Sequence, residues 1–242
     1  MSRKVVIVGL LVLWMVGGAG AHREWSPYTN VRPAYQWFLD DGDVVVFYGD
    51  SITAQKKYGQ MVEKEFRAVC DNYNWKPDIT FHILGFGGKT APWGQKHIEK
   101  VLDLKPTVVT LLWGMNDAAG LSVPGVVRSA RYREALTAQV RSFQEAGVRV
   151  VILTVTPVDE KRTKSRNNRV LSAYARIAQQ VALATGAELI DVRKAFVRGA
   201  GRTTPDVGAG KAKVLIPDGV HPNAAGHRII ADAILDGWNI PR

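Results

Sequence analysis

Val44-Val45-Val46-Phe47-Tyr48-Gly49-Asp50-Ser51-Ile52-Thr53 is the stretch on which the reading of this chain turns. Its first five residues are β-branched or aromatic, which favours an extended strand buried on both faces. Gly49 interrupts the run, so Ser51 falls where a buried strand ends and a tight turn begins. In an open α/β sheet ligands bind outside the carboxyl ends of the strands, which makes a hydroxyl at this place a candidate for chemistry. Gly-Asp-Ser is also an ordinary turn, and its meaning depends on partners elsewhere in the chain.

Outward from this stretch the sequence alternates. Strands are expected over Asp43–Tyr48, Ile79–Leu84, Thr107–Trp113, Val148–Thr154 and Ala187–Asp191, all nearly continuous in apolar residues. Between them Tyr58, Met61, Val62, Phe66 and Val69 keep the spacing of one helix face, as do Tyr132, Leu136, Val140 and Phe143 ahead of Gly147. Leu171, Tyr174, Ala178 and Val181 mark a third helix ending at Gly186, and a last one is expected from about Asn223 to Asp236. Doubly buried strands alternating with helices imply a three-layer α/β/α sandwich with a five-stranded parallel sheet. Right-handed crossovers place every loop that follows a strand on one edge, and the first four begin at Gly49, Gly85, Gly114 and Thr154. Two basic loops, Val158–Arg169 and Arg198–Lys213, are expected on or beside that edge, either as a rim selecting acidic substrates or as plain solvated faces.

The 242 residues, 46% apolar and 22% charged, suit a single globular core. Residues 1–21 read differently: Arg3 and Lys4, an uncharged run from Val5, then Ala19-Gly20-Ala21 before His22. This pattern predicts a signal peptide cleaved after Ala21, leaving residues 22–242 as one exported domain, with an uncleaved anchor as the alternative. Residues 22–42 form an aromatic lead-in expected to pack on the outside of the domain. Cys70 is the only cysteine, so no internal disulfide is possible, and its place on an apolar helix face reads as packing. The net charge of +10 suits acidic polysaccharide, anionic lipid, an envelope polymer or mere solubility. Nucleic acid is not expected as a partner, since no nucleic-acid-binding motif is present.

A serine nucleophile needs a base, and the chain has five histidines: His22, His82, His97, His221 and His227. His221 stands in Asp218-Gly219-Val220-His221-Pro222, a turn into the last helix with a carboxylate three residues earlier. That spacing lets Asp218 accept from Nδ1 and leaves Nε2 for the Ser51 proton; capping of the helix is the plainer alternative. Oxyanion donors are available from the Ser51 backbone N–H, from the Gly85-Phe86-Gly87-Gly88 loop, where Gly88 is preferred over Gly87 or Gly85 by register, and from the Asn116 amide. Lys89 sets a cation beside this loop or points to solvent, and Trp93 is either a platform for a sugar ring or a core-packing residue.

Taken in order, Gly49-Asp50-Ser51-Ile52-Thr53, the glycine loop after the second strand, Gly114-Met115-Asn116-Asp117 and Asp218-Gly219-Val220-His221-Pro222 resemble the four signature blocks of the SGNH hydrolases, also called GDSL esterases and lipases. The likeness runs from Val44 to the final helix. In the second block the chain departs from the family, carrying Ile83 and Lys89 where Asn and a small or acidic residue are usual. The resemblance implies a flavodoxin-like sheet, a nucleophile at Ser51, a base and orienting acid at His221 and Asp218, oxyanion donors at Gly88 and Asn116, and no metal or organic cofactor. A Gly-x-Ser-x-Gly elbow, a P-loop, a His-Glu-x-x-His motif and a cysteine pair are all absent. The expectation is an exported serine ester hydrolase working through an acyl-enzyme on a small-molecule or polysaccharide ester, as a carbohydrate O-acetyl or other short-chain esterase. Alternatives are a lipase or lysophospholipase, an O-acyltransferase on the same triad, and a non-catalytic carbohydrate- or envelope-binding module.

Overall fold

The computed structural model describes residues 38–118, 126–158, 165–202 and 215–241, all within one compact unit, Pro33–Arg242. The expected signal peptide, residues 22–37 of the aromatic lead-in and the centres of the two basic loops lie outside the described residues. Five strands, β1 (Val44–Gly49), β2 (Thr80–Gly85), β3 (Val108–Leu112), β4 (Arg149–Leu153) and β5 (Glu188–Ile190), pair in parallel in the order β2-β1-β3-β4-β5. This is the flavodoxin-like order, in which the chain reverses its direction of growth between β1 and β3.

The helices are α1 (Ser51–Ala54), α2 (Lys57–Asn72), α3 (Ala91–Lys96), α4 (Glu99–Leu102), α5 (Val126–Glu145), α6 (Arg166–Thr185), α7 (Val192–Arg202) and α8 (Ala224–Gly237). α2 packs on α8 and α8 on α7 in one layer, while α3 packs on α5 and α5 on α6 in the other. Alternate β1 side chains meet the two layers. Phe47 packs edge-on to Tyr58 of α2 and against Trp238, whereas Tyr48 packs edge-on to Trp113 and donates to the Gly94 carbonyl of α3 at 2.9 Å. Both rings are fully buried, which is why the strand reads as unbroken apolar sequence. Cys70 is buried on α2. Against the expectation that the lead-in packs on the outside, Phe38 and Leu39 at its described end are part of the core, with Phe38 stacked on Trp238 at 5.3 Å.

Two further expectations are corrected. The basic loop expected from Arg198 begins inside a helix, because α7 extends to Arg202. Val192 and Phe196 are fully buried and a Cβ on Gly199 would meet Ile229 of α8 at 2.8 Å, so the stripe is helical and the glycine is a packing choice rather than a loop signal. The other loop ends early, because Ser165 caps α6 by accepting the Asn168 N–H. Asn168 is itself buried and bonds both the N–H and the carbonyl of Val158, which pins the start of that loop. No helix among the described residues is long and apolar enough to cross a membrane.

The strand ends nearest the switch point are tightly joined. The Phe86 N–H donates to the Gly49 carbonyl at 2.9 Å and the Asp50 N–H to the Leu112 carbonyl at 3.3 Å, so the loops after β2 and β3 flank the turn after β1. A Cβ on Gly85 would lie 1.9 Å from the Ala54 nitrogen, whereas one on Gly87 would meet nothing within 4 Å. Gly85→Ala is therefore expected to destabilise the fold by more than about 3 kcal/mol, since backbone must move, and Gly87→Ala by less than about 1 kcal/mol. Urea denaturation midpoints of the two variants check this contrast.

Candidate active site

Three loops meet around Ser51. Asp50, which is buried, accepts the Ile52 N–H at 3.0 Å and so caps the single turn of α1, putting Ser51 at its first position with its backbone N–H unused inside the helix. Its carboxyl is pushed up to about 7 by burial, the negative charge of Asp117 adding to the shift while the Ile52 bond and His221 oppose it. Asp50 braces the turn and makes no bond to His221.

The histidine arrives from the other end of the chain. Asp218 accepts the backbone N–H groups of Val220 at 2.9 Å and His221 at 2.6 Å through one oxygen, and Nδ1 of His221 at 2.8 Å through the other. Those bonds, led by the His221 N–H, hold the Asp218 carboxyl down at about 2, so it is an ionised acceptor in the neutral range. An acceptor at Nδ1 requires the proton there, which leaves the Nε2 lone pair facing outward. Nε2 lies 2.9 Å from the Ser51 Oγ, whose hydroxyl donates to it. Ser51, His221 and Asp218, spread over 170 residues of chain, thus form one hydrogen-bonded relay. Both members of the His–Asp pair are partly exposed, with side-chain accessibilities of 35% and 54%.

Gly88 has φ +70°, favourable to glycine, and a Cβ there would project into open space. Its N–H has no acceptor among the described residues, whereas the neighbouring Lys89 N–H closes the turn onto the Phe86 carbonyl at 3.2 Å. Asn116 uses its side-chain amide to donate to the Lys89 carbonyl at 2.8 Å, which spends one of its two hydrogens. The Lys89 ammonium stands 5.6 Å from the Trp93 ring. Trp93 is not a free platform: its ring also stacks on His97 at 3.9 Å and meets Phe86 at 4.6 Å.

His22 lies outside the described residues, and the other three histidines are placed elsewhere. His82 is on β2, and Nδ1 of His97 bonds the Trp93 carbonyl at 2.8 Å. His227 is buried against Tyr58 and bonded to Gln55 through Nε2, and burial brings its basicity down to about 4. Sequence reasoning gave Asp117 and Gln139 no task. Both are buried and both bond Ala91, just beyond the Gly88 loop. A glutamine in the apolar stripe Leu136, Val140, Phe143 was the signal that a buried polar partner waits there.

A Ser–His–Asp relay at the carboxyl edge of a 2-1-3-4-5 parallel sheet, with N–H donors on two adjoining loops, is the arrangement of a serine hydrolase. Residues 47–229 match the model of the GDSL-like lipase/acylhydrolase family. The chain is 26% identical over 226 residues to an uncharacterized lipoprotein, YqeF, of Bacillus subtilis (strain 168), covering 82% of this chain and 90% of that one. It is 26% identical over 217 residues to an acetylxylan esterase of Geobacillus stearothermophilus, covering 81% and 94%. In fold it is similar to the crystal structure of Axe2, an acetylxylan esterase from Geobacillus stearothermophilus, with a TM-score of 0.71 at 24% identity over 84% of this chain and 97% of that one. It is also similar to LAE5, an alpha/beta hydrolase enzyme from the metagenome of Lake Arreo, Spain, with a TM-score of 0.69 at 22% identity over 84% and 98%. The chain belongs to the GDSL-like lipase/acylhydrolase family. It is a serine-dependent carboxylic ester hydrolase.

Asp50 sets a pH dependence of stability. Its folded value lies above its ordinary one, so the native state holds a proton that the unfolded chain has released. The stabilisation is complete below the ordinary carboxylate value and is lost as pH rises through about 7. Asp50→Asn keeps an acceptor for Ile52 but cannot ionise. Between about pH 5 and about pH 8 the urea midpoint of the native protein should fall more steeply than that of the variant.

Proposed function

We propose that this protein is an exported carbohydrate O-acetyl esterase that works through an acetyl-enzyme on Ser51. The observation that carries the mechanism is the relay from Asp218 through His221 to Ser51, at 2.8 and 2.9 Å. Ser51 Oγ attacks the ester carbonyl as His221 Nε2 takes its proton, and the tetrahedral oxyanion is met by the N–H groups of Ser51 and Gly88 and the free hydrogen of the Asn116 amide. Collapse expels the sugar alcohol, which receives the proton from His221. Water, deprotonated by the same imidazole, then releases acetate and restores Ser51. Asp218 stays ionised throughout, holding the tautomer and balancing the imidazolium.

Support for acetylated carbohydrate comes from the similarity to an acetylxylan esterase over 94% of that protein's length. Export is supported by the basic, apolar and small-residue succession of residues 1–21, and by the name of the lipoprotein relative. Lys89, exposed beside Gly88, is in position to meet an acidic group on the substrate.

Ser51→Ala should abolish turnover and labelling by a fluorophosphonate while leaving the fold intact. Asp218→Asn should reduce kcat by up to about 10⁴-fold, and Asp50→Asn far less. Full esterase activity in purified Ser51→Ala would refute the mechanism. The substrate class has its own test: in a series of nitrophenyl esters kcat/KM should be highest for acetate, and acetate should be released from acetylated xylan. A preference for octanoate or longer would replace the carbohydrate reading with a lipase one.

A further inference from the structure

The oxyanion loop closes its own turn through the Lys89 N–H on the Phe86 carbonyl at 3.2 Å, but no side chain steadies the Gly87–Gly88 peptide. Gly87 and Gly88 carry no side chains, both are exposed, and a Cβ at either would touch nothing within 4 Å. The direction of the Gly88 N–H is therefore set by that turn together with what holds the residues on either side of it. Upstream, the Phe86 N–H is tied to the Gly49 carbonyl of β1. Downstream, the ties come from the loop after β3 and from α5.

Those ties are unusually complete. The Ala91 N–H donates to both carboxylate oxygens of Asp117, at 3.1 and 3.2 Å. The Ala91 carbonyl accepts from Nε2 of Gln139 at 2.9 Å, and Oε1 of Gln139 accepts the Trp113 indole N–H at 3.1 Å. Tyr132 donates to the Trp113 carbonyl and Tyr174 to the Asp117 carbonyl, so the backbone on both sides of Asn116 is anchored as well. Asn116 itself bonds the Lys89 carbonyl. Ala91, Gln139 and Trp113 are at most 1% exposed and Asp117 only 7%, so these bonds do not compete with water. A carboxylate is a costly way to hold one N–H in such a place, and burial pushes the Asp117 carboxyl up to about 6. What it provides over an apolar side chain is a strong, directional attachment of one loop to the other.

We infer that Asp117 and Gln139 are positioning residues of the ester hydrolysis, clamping the Ala91 peptide so that the Gly88 N–H and the Asn116 amide converge on one point. The inference rests on the roles proposed above for Ser51, Gly88 and Asn116. Neither residue touches the reacting atoms; both act by fixing donors that are needed only when the carbonyl oxygen becomes charged. Loss of the clamp therefore affects the transition state and leaves ground-state binding of a small ester as it was.

The test uses Asp117→Ala, Asp117→Asn and Gln139→Met in the full-length protein with nitrophenyl acetate. Active sites are counted by fluorophosphonate titration, and a trifluoromethyl ketone, which forms a tetrahedral adduct on serine, reports the oxyanion site. For Asp117→Ala, kcat per titrated site should fall about 10- to 100-fold, somewhat less than the loss of a donor outright. KM should stay within about twofold, and ketone affinity should weaken by the same factor as kcat/KM. Asp117→Asn, which still offers an oxygen to Ala91, should recover most of the loss. Gln139→Met should shift the same ratios in the same direction, and it decides the matter if Asp117→Ala yields no soluble protein. Native turnover per titrated site, whatever the change in Tm, would leave the clamp a purely structural feature and overturn the inference; so would a loss of kcat with ketone affinity unchanged. A native protein that fluorophosphonate does not label at Ser51 overturns the parent reading instead.

Discussion

The structure depends on how closely β1 ends between its two parallel neighbours. A side chain at Gly49 would stand 2.3 Å from Thr53 Oγ1 and 2.5 Å from the Leu112 carbonyl, and one at Gly85 would strike the backbone of α1. This crowding forces the chain to turn at once into α1 with Asp50 as its cap, leaving Ser51 at the rim. The same contact brings the loops after β2 and β3 to either side of the serine, through the bonds Phe86 to Gly49 and Asp50 to Leu112. At a switch point the neighbouring connections leave in opposite directions and open a crevice, so a turn held this tightly is also an accessible one.

Three carboxylates near the site occupy different electrostatic environments. Asp50 and Asp117 are buried, and desolvation raises both, to about 7 and about 6. Asp218 is exposed, and the N–H groups of His221 and Val220 with the imidazole bring it down to about 2. The two buried acids serve backbone N–H groups, of Ile52 and Ala91, and so act on geometry. The exposed acid serves the imidazole and so fixes which ring nitrogen carries the proton. Environment, rather than distance along the chain from the serine, separates these tasks: Asp50 adjoins Ser51 and braces it, while Asp218 is at the far end of the chain.

Much of this was legible in the sequence because the signals are local. All five strands lie within a residue or two of the expected runs, since doubly buried parallel strands leave continuous apolar stretches. Asp218 and His221 were recognisable as a pair because a three-residue spacing on a turn suffices to join them. α7 was harder to see: Gly199 and Gly201 read as loop residues, and burial of Val192 and Phe196 against α8 outweighed their poor helix propensity. Asp117 and Gln139 were invisible as a clamp, because their common partner is the backbone of Ala91, and a backbone group leaves no mark in a sequence. Of the neighbours of Trp93, His97 lies one helical turn along α3 and was within reach of local spacing, whereas Phe86 and Lys89 are brought to the ring by the turn around Gly88.

The sequence by itself determined the five strands, their parallel arrangement, four of the helices and the candidates for a nucleophile, a base and an acid, since these follow from periodicity, residue type and short spacings. Tertiary structure decided which groups meet. Closing Ser51 onto His221 at 2.9 Å across 170 residues, and tying Asn116 to Lys89 and Asp117 to Ala91 across two loops, needs the sheet order and the packing of α3 on α5. The physical reason is that hydrogen bonds are made over about 3 Å between groups whose separation is set by the whole core, and no local rule of propensity or spacing carries that distance.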